Sequence, residues 1–168
     1  NTNKVLQLIV SRNIYDLCHP YKTPNVEVVY GNGFIVDIET GYVITTHSLI
    51  NNAINITACL FKFGRRRINI CVLRWRQGKN IALCKIDPGD VKLILKDIDE
   101  SQFDVLNMKF GDNISLNLCD DVLVLSYNSD IKCSIGIISG FNININDIDS
   151  EDIYDRCPIY IETTINTN

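Results

Sequence analysis

Several residue patterns that identify common classes of protein are missing from this 168-residue sequence. None of its seven cysteines forms a Cys-x-x-Cys pair, so we expect neither a zinc site nor any other metal or cofactor. No apolar run approaches the roughly 20 residues that cross a bilayer, so no membrane contact is expected. The net charge is -4, which argues against a general nucleic-acid binder.

The cysteines are scattered and odd in number, and several lie in apolar runs, where a free thiol behaves as a small hydrophobic side chain. We therefore expect a reducing intracellular compartment, cytoplasm or nucleus, or a place within a larger particle. Hydrophobic residues make up 46% and charged residues 21%, a balance typical of a globular chain with a real core.

Short apolar segments separated by turn residues recur about every ten residues along the chain. Residues 4–10 predict a strand, although a helix stays open because the apolar residues do not alternate strictly. Residues 34–36 and 42–45 flank a turn that contains glycine, which predicts a hairpin. Residues 81–86 are nearly all apolar, and we expect them to be buried on both faces.

Residues 26–30 lead into the hairpin, and further strands are predicted over 54–63, 67–75, 120–127, 133–141 and 158–164. Many short strands with little helix indicate an all-β sandwich or barrel. Residues 91–109 are ambiguous and are predicted as a strand followed by an acidic connector. We therefore predict two halves, residues 1–96 and residues 97–168.

Four segments occur in an order that matches a known family: 31–36 (Gly-Asn-Gly-Phe-Ile-Val), 42–49 (Tyr-Val-Ile-Thr-Thr-His-Ser-Leu), 80–86 (Asn-Ile-Ala-Leu-Cys-Lys-Ile) and 135–140 (Ile-Gly-Ile-Ile-Ser-Gly). They resemble motifs of the HtrA/Deg serine proteases, and the eukaryotic, plant-like Deg branch is the most similar. The resemblance implies a trypsin-like fold of two six-stranded β-barrels, the second incomplete within these residues.

The resemblance also implies a catalytic site. His47 matches the family's general base, and Asn80 stands where the family has the Asp that orients this base. The chemistry needs an imidazole that is held by a buried carboxylate and reaches a nucleophilic hydroxyl. In chymotrypsin-type proteases, replacing that Asp by Asn lowers turnover by about four orders of magnitude. The family's Asn-Ser-Gly-Gly motif does not occur here, so the sequence supplies neither the nucleophilic Ser nor its oxyanion hole.

Two hypotheses about function follow. The first is a catalytically impaired or inactive protease homologue that serves as a binding or structural scaffold for a polypeptide substrate or protein partner. The alternative is an active serine endopeptidase whose Ser-Gly-Gly motif, and any PDZ domain, lies outside this chain. By resemblance to the family, the protein is expected to form a homo-oligomer such as a trimer. The incomplete second half would leave an open strand edge, which folded proteins normally cover, so a partner element such as a larger assembly is also expected.

Three other groups of residues are candidate sites. One basic cluster contains Arg65–Arg67, and Trp75 and the basic residues around it belong to the same cluster. The pattern predicts a solvated hairpin tip rather than a nucleic-acid contact. His19 is predicted to be an exposed loop residue, since nothing in the sequence pairs with it. Cys84 lies within an apolar strand, which favours core packing over a catalytic pairing with His47.

Overall fold

The computed structural model describes residues 4–60, 66–97, 110–111, 116–128, 130–143 and 159–165. The chain divides into two compact units, residues 1–109 with 126–131, and residues 110–125 with 132–168. The predicted boundary after residue 96 stays a prediction. No helix in the described part of the chain is long and apolar enough to cross a membrane.

The first unit contains a closed antiparallel barrel with six strands in the order β1-β2-β3-β6-β5-β4. Its elements are β1 (Val5–Ile14), β2 (Asn25–Asp37), β3 (Tyr42–Thr45), α1 (His47–Ile50), β4 (Ala53–Leu60), β5 (Arg67–Arg76), β6 (Ile81–Ile86) and α2 (Pro88–Lys96). The all-β prediction is confirmed, and so is the predicted hairpin, which β2 and β3 form.

Burial in the barrel core decides whether the first predicted segment, residues 4–10, forms a strand or a helix. Leu6, Leu8 and Val10 are fully buried at every second position of β1, and their neighbours Gln7 and Ile9 are only partly covered. This period of two is that of a strand with one face turned to a core. Burial of each such side chain contributes about 1.5–3 kcal/mol, which selects the strand over a helix.

The expectation that residues 81–86 are buried on both faces is wrong. Ala82, Cys84 and Ile86 are buried, whereas Leu83 and Lys85 between them are only partly covered. β6 lies between β3 and β5 in a closed antiparallel barrel, so only one of its faces points into the core.

The prediction of a strand from residue 91 is also wrong, because α2 occupies Pro88–Lys96. The Asp87 side chain accepts a hydrogen bond of 2.8 Å from the Gly89 N–H and so caps the helix, and Pro88 occupies its first turn. Val91 and Ile94 then pack into the barrel core. The acidic connector predicted after this point lies almost wholly outside the described residues.

Three further strands follow, β7 (Asp121–Asn128), β8 (Asp130–Ile143) and β9 (Ile159–Thr163). They form a sheet in the order β7-β8-β9, and β9 pairs antiparallel with β8. The sequence predicts all three strands, β7 displaced by one residue, β8 with shorter bounds and β9 with one residue more at each end. This sheet is the part of the second predicted barrel that the structure describes.

Candidate active site

His47 lies where β3 passes into α1. Thr45, the last residue of β3, is buried, and its hydroxyl donates a hydrogen bond of 2.9 Å to the Asn32 carbonyl oxygen. His47 is the first residue of the short helix and is partly exposed. Its backbone N–H donates to the Asn80 carbonyl oxygen at 3.2 Å. The strand end is thus fixed on both sides, which holds the histidine at the rim of the barrel.

Asn80 comes to the same place from the neighbouring strand. β3 pairs with β6, and Thr45 at the end of β3 is the register partner of Ala82 near the start of β6. Residues 47 and 80 therefore meet because antiparallel neighbours place one strand's end beside the other's beginning. The structure brings together the two residues that the sequence resemblance singled out.

Asn80 is held in a specific backbone and side-chain geometry. Its φ of 47° and ψ of 41° lie in the left-handed region, which asparagine tolerates better than most residues. Its side-chain oxygen accepts a hydrogen bond of 2.8 Å from the Ser48 N–H. Thr46, at the N-cap position of α1, makes no side-chain cap, so Asn80 satisfies a helix N–H that the local sequence leaves open.

The electrostatics of this arrangement differ from those of a charged orienting residue. The amide of Asn80 is neutral, and its one oxygen already accepts from Ser48. Within the described ranges, no hydrogen bond reaches the His47 ring. The ring instead stacks near the Trp75 indole, with centroids 6.4 Å apart and planes 23° from parallel. The geometry positions the imidazole without supplying a carboxylate to stabilise its cation.

Trp75 reaches this position because of a bulge in β5. Val72 pairs with Cys84 and Arg74 with Leu83, so Leu73 is an extra residue without a partner on β6. One extra residue reverses which face each later side chain occupies. Trp75 therefore pairs with the buried Ala82 on the inner face, at the end of the barrel, where 61% of its surface is exposed. Sequence reasoning had placed Trp75 in a basic cluster and missed its contact with His47.

An open pocket of about 620 Å³ lies beside the histidine. Its walls include His47, Trp75 and the facing parts of β4 and β5. Its volume falls within the range of roughly 300–1,000 Å³ that is typical of ligand sites. No group of three His, Cys, Asp or Glu side chains in the described residues is arranged to hold a metal ion.

The other candidate residues lie elsewhere. Cys84 is buried in the core, and burial, with a smaller effect of Cys71, raises the pKa of its thiol from 9.0 to about 11. A thiol of this kind is unsuited to act as a nucleophile. His19 lies in a loop, as predicted, but the premise that nothing in the sequence pairs with it is wrong, because its Nδ1 lies 2.8 Å from the Asp16 carboxylate. Arg66 is 3.4 Å from Asp97, and Arg65 lies outside the described residues.

The structure has the trypsin-like protease fold, present in part in this chain. Solved structures with this fold include the active form of the Rv3671c protease from M. tuberculosis, with a TM-score of 0.59 at 14% identity over 84% of this chain. They also include the HtrA-type protease AlgW with a tripeptide, with a TM-score of 0.62 at 17% identity over 86% of this chain.

This chain covers 50% of the Rv3671c structure and 38% of the AlgW structure. At the sequence level, comparison with family models and with curated proteins gave no match. The likeness to solved structures therefore concerns the fold, and the roles of His47 and Asn80 stay predictions.

Proposed function

We propose that this protein is a trypsin-like protease homologue of the HtrA/Deg type that is catalytically impaired or inactive as it stands and serves as a binding or structural scaffold for polypeptides. The observation that carries the proposal is the Asn80 side chain beside His47. It is neutral, and its oxygen is hydrogen-bonded to the Ser48 N–H. The site retains the histidine, and residue 80 lacks the negative charge that stabilises an imidazolium during acyl transfer.

The surroundings of the site support a binding role. The pocket beside His47 is open, and the Trp75 indole on its wall exposes most of its surface. Exposed aromatic side chains contribute large contact areas in protein recognition. A barrel that keeps a shaped pocket but lacks the charge of the orienting residue fits binding better than turnover.

The experiment compares the purified chain with its His47→Ala variant on fluorescein-labelled casein. We expect no cleavage that depends on His47. Asn80→Asp serves as the matched variant, since it restores the missing charge and keeps the acceptor oxygen. Cleavage by the unaltered chain that His47→Ala abolishes would contradict the proposal.

A second candidate is an active serine endopeptidase whose nucleophile lies outside these residues. The convergence of His47 and Asn80 at one barrel rim favours it, since a base and its orienting residue occupy such positions in this class. It predicts a Ser-Gly-Gly motif encoded after residue 168. It also predicts that Asn80→Asp in that longer protein raises turnover, by up to about four orders of magnitude. Sequencing the complete transcript distinguishes the two candidates.

The finer parts of the proposal rest on separate observations. The Tyr- and Pro-containing loop before β2 resembles the loop that precedes the Gly-x-Gly-Phe hairpin in the plant-like Deg branch, which supports placement near that branch. The six cysteines within the described residues are all free thiols, which supports a reducing intracellular setting. A homo-oligomer, a trimer by resemblance, is proposed from the family likeness alone, and light scattering on the purified protein tests it.

A further inference from the structure

The hairpin of β1 and β2 concentrates exposed apolar side chains on one stretch of the chain. Among the described residues, 17 large apolar side chains are exposed, and seven of them lie between residues 14 and 30. These seven are Ile14, Tyr15, Leu17, Tyr21, Val26, Val28 and Tyr30. Single exposed apolar residues are ordinary, whereas a patch of them marks an interaction surface. None of the seven lines the pocket beside His47.

Three of these side chains form a row on one face of β2. Val26, Val28 and Tyr30 occupy alternate positions of the strand, so their side chains share a face. Val29, between them, is the register partner of the buried Val10 and therefore belongs to the inner face. The apolar row of residues 26, 28 and 30 thus lies on the outer face of the barrel, and all three residues are exposed.

The residues of the apolar row also turn their backbone toward an open strand edge. β2 pairs with β1 over residues 25–34, and its other edge pairs with β3 only from residue 34 onward. Residues 25–33 have no partner strand on that second edge among the described residues. The Asn32 carbonyl oxygen lies on this side, since it accepts from the Thr45 hydroxyl of β3. Because backbone groups of alternate residues point to the same side, residues 26, 28 and 30 present their N–H and C=O groups to the open edge.

The charge and the residue order of this edge suit pairing with a copy of itself. Glu27 is the one charged residue of segment 25–31, and its carboxylate lies 2.8 Å from the Arg12 guanidinium. Segment 25–31 contains neither Lys nor Pro, two residues that commonly protect a strand edge from pairing. An apolar residue stands two positions to each side of Val28. Two copies that run antiparallel about Val28 therefore bring no like charges opposite each other.

We propose that residues 25–31 of β2 pair antiparallel with the same residues of a second copy of this chain, about a two-fold axis at Val28. In this register Val28 faces Val28 of the second copy, and Val26 faces Tyr30. Every such pair joins residues whose N–H and C=O groups point to the shared edge, so the pairs form roughly six backbone hydrogen bonds. The two apolar rows join into one strip on the outer face. A single sequence satisfies both sides of the axis, as an isologous interface requires.

The exposed area is of the size that a dimer needs. A standard interface takes about 800 Å² from each partner. Tyr15, Tyr21 and Tyr30 are 60%, 82% and 60% exposed. An aromatic side chain buries roughly 150–250 Å², so these three offer roughly 300–500 Å² together. Antiparallel pairing brings the loop 15–24 of each copy toward residues 32–34 of the other, where Leu17 and the valines of the apolar row add to this area.

This inference goes beyond the proposed function, because it names an interaction surface and its partner and holds whether or not His47 takes part in catalysis. The surface differs from the trimer expected by family resemblance in its symmetry, since a strand edge that pairs with itself gives a two-fold axis. The test can therefore fail while the proposed function stands.

Sedimentation equilibrium of the 168-residue chain tests the dimer and its axis. We expect a monomer–dimer equilibrium. Val28→Lys and Val28→Glu each place like charges opposite each other across the axis, so each should weaken association at least about tenfold. An equimolar mixture of the two variants should associate at least about tenfold more tightly than either alone, because opposite charges then meet. The matched control, Leu93→Lys, changes an exposed apolar residue of α2 and should leave the dissociation constant within about threefold.

Hydrogen exchange of the unaltered protein gives a second measurement, which does not depend on the folding of any variant. The amides of Val26, Val28 and Tyr30 should exchange more slowly as the protein concentration rises, because dimerisation gives them acceptors. The amides of Glu27 and Val29 point toward β1 and should exchange at a rate that does not depend on concentration. Circular dichroism verifies that the Val28 variants are folded.

Several outcomes would overturn the proposal. One is a protein that stays monomeric up to about 1 mM. Another is self-association that neither Val28 variant weakens, or a mixture of the two that associates no better than each alone, because the axis would then not lie at Val28. A third is exchange at Val26, Val28 and Tyr30 that does not change with concentration. A fourth is a monomer that sediments with phosphatidylserine vesicles, since a lipid surface and not a second copy would then cover the patch.

Discussion

Substitution of Asn80 separates its structural role from its proposed catalytic one. In Asn80→Ala the Ser48 N–H loses its acceptor, and loss of a comparable helix-capping bond costs about 1 kcal/mol. Alanine must also adopt the left-handed backbone of this position, which costs about 1 kcal/mol more. The expected loss is therefore about 2 kcal/mol, or roughly 6 °C in Tm for a chain of this length.

Two further substitutions at residue 80 test each contribution alone. Asn80→Gly loses the same hydrogen bond but adopts the left-handed backbone without strain, so we expect a loss of about 1 kcal/mol or less. Asn80→Asp keeps the acceptor and places a negative charge at the first turn of α1, so its stability should stay within about 0.5 kcal/mol. An increase in activity in this variant would then report on charge and not on repair of the fold.

The measurement is urea and thermal unfolding followed by circular dichroism, with hydrogen exchange of the Ser48 amide as a local readout. Gly78→Ala is the matched control in the same turn, because a Cβ at Gly78 meets no atom within 4 Å. It should leave the stability within about 0.5 kcal/mol. The reasoning fails if Asn80→Ala, Asn80→Gly and Asn80→Asp unfold alike, or if exchange at Ser48 is unchanged in Asn80→Ala.

Other predictions concern the barrel. The pKa of the Cys84 thiol is about 11 in the folded protein and 9.0 in the unfolded chain, so its stabilising contribution is complete below pH 9.0 and is lost as the pH rises toward 11. The unfolding free energy of Cys84→Val should therefore decrease less with rising pH than that of the unaltered protein, by at most roughly 3 kcal/mol. The same pH dependence in both proteins would contradict this. Gly41 has a φ of 74°, and a Cβ there would lie 2.9 Å from Val91 Cγ2, so Gly41→Ala should cost about 1–3 kcal/mol in urea unfolding. Asp87→Ala should cost about 1 kcal/mol and Asp87→Asn little, since the latter keeps an oxygen for the Gly89 N–H. Deletion of Leu73 should remove the bulge while Arg74 still pairs with Leu83 and Trp75 with Ala82, so the His47–Trp75 contact should persist, and loss of the ring-current shifts of His47 in this variant would contradict the register.

The strands of the barrel could be predicted because their signals are local. The alternation in β2 and β3 and the glycine at the end of their turn already contain the information that a hairpin needs. The sequence signal for helix α2 is equally local, since Asp87 and Pro88 form a standard helix start. The prediction missed this helix because it gave weight to the apolar residues alone. These elements depend on neighbours a few residues away.

The burial of single faces could not be predicted in the same way. The apolar run of β6 does not tell which side chains face the core, because that depends on the closure of the barrel around it. In β5 one unpaired residue, Leu73, reverses the faces of Arg74 and Trp75, and a bulge is defined only by the register with a partner strand.

The sequence by itself determined the order of the strands along the chain. Through motif resemblance it also singled out the two positions His47 and Asn80. Only the tertiary structure decided that the Asn80 oxygen accepts from Ser48, that Trp75 stacks near His47, and that β4 and β5 have three register pairs among the described residues. The physical reason is the range of the interactions. Periodicity and turns are set within a few residues, whereas these three features each join segments far apart in the chain, and barrel closure brings them together.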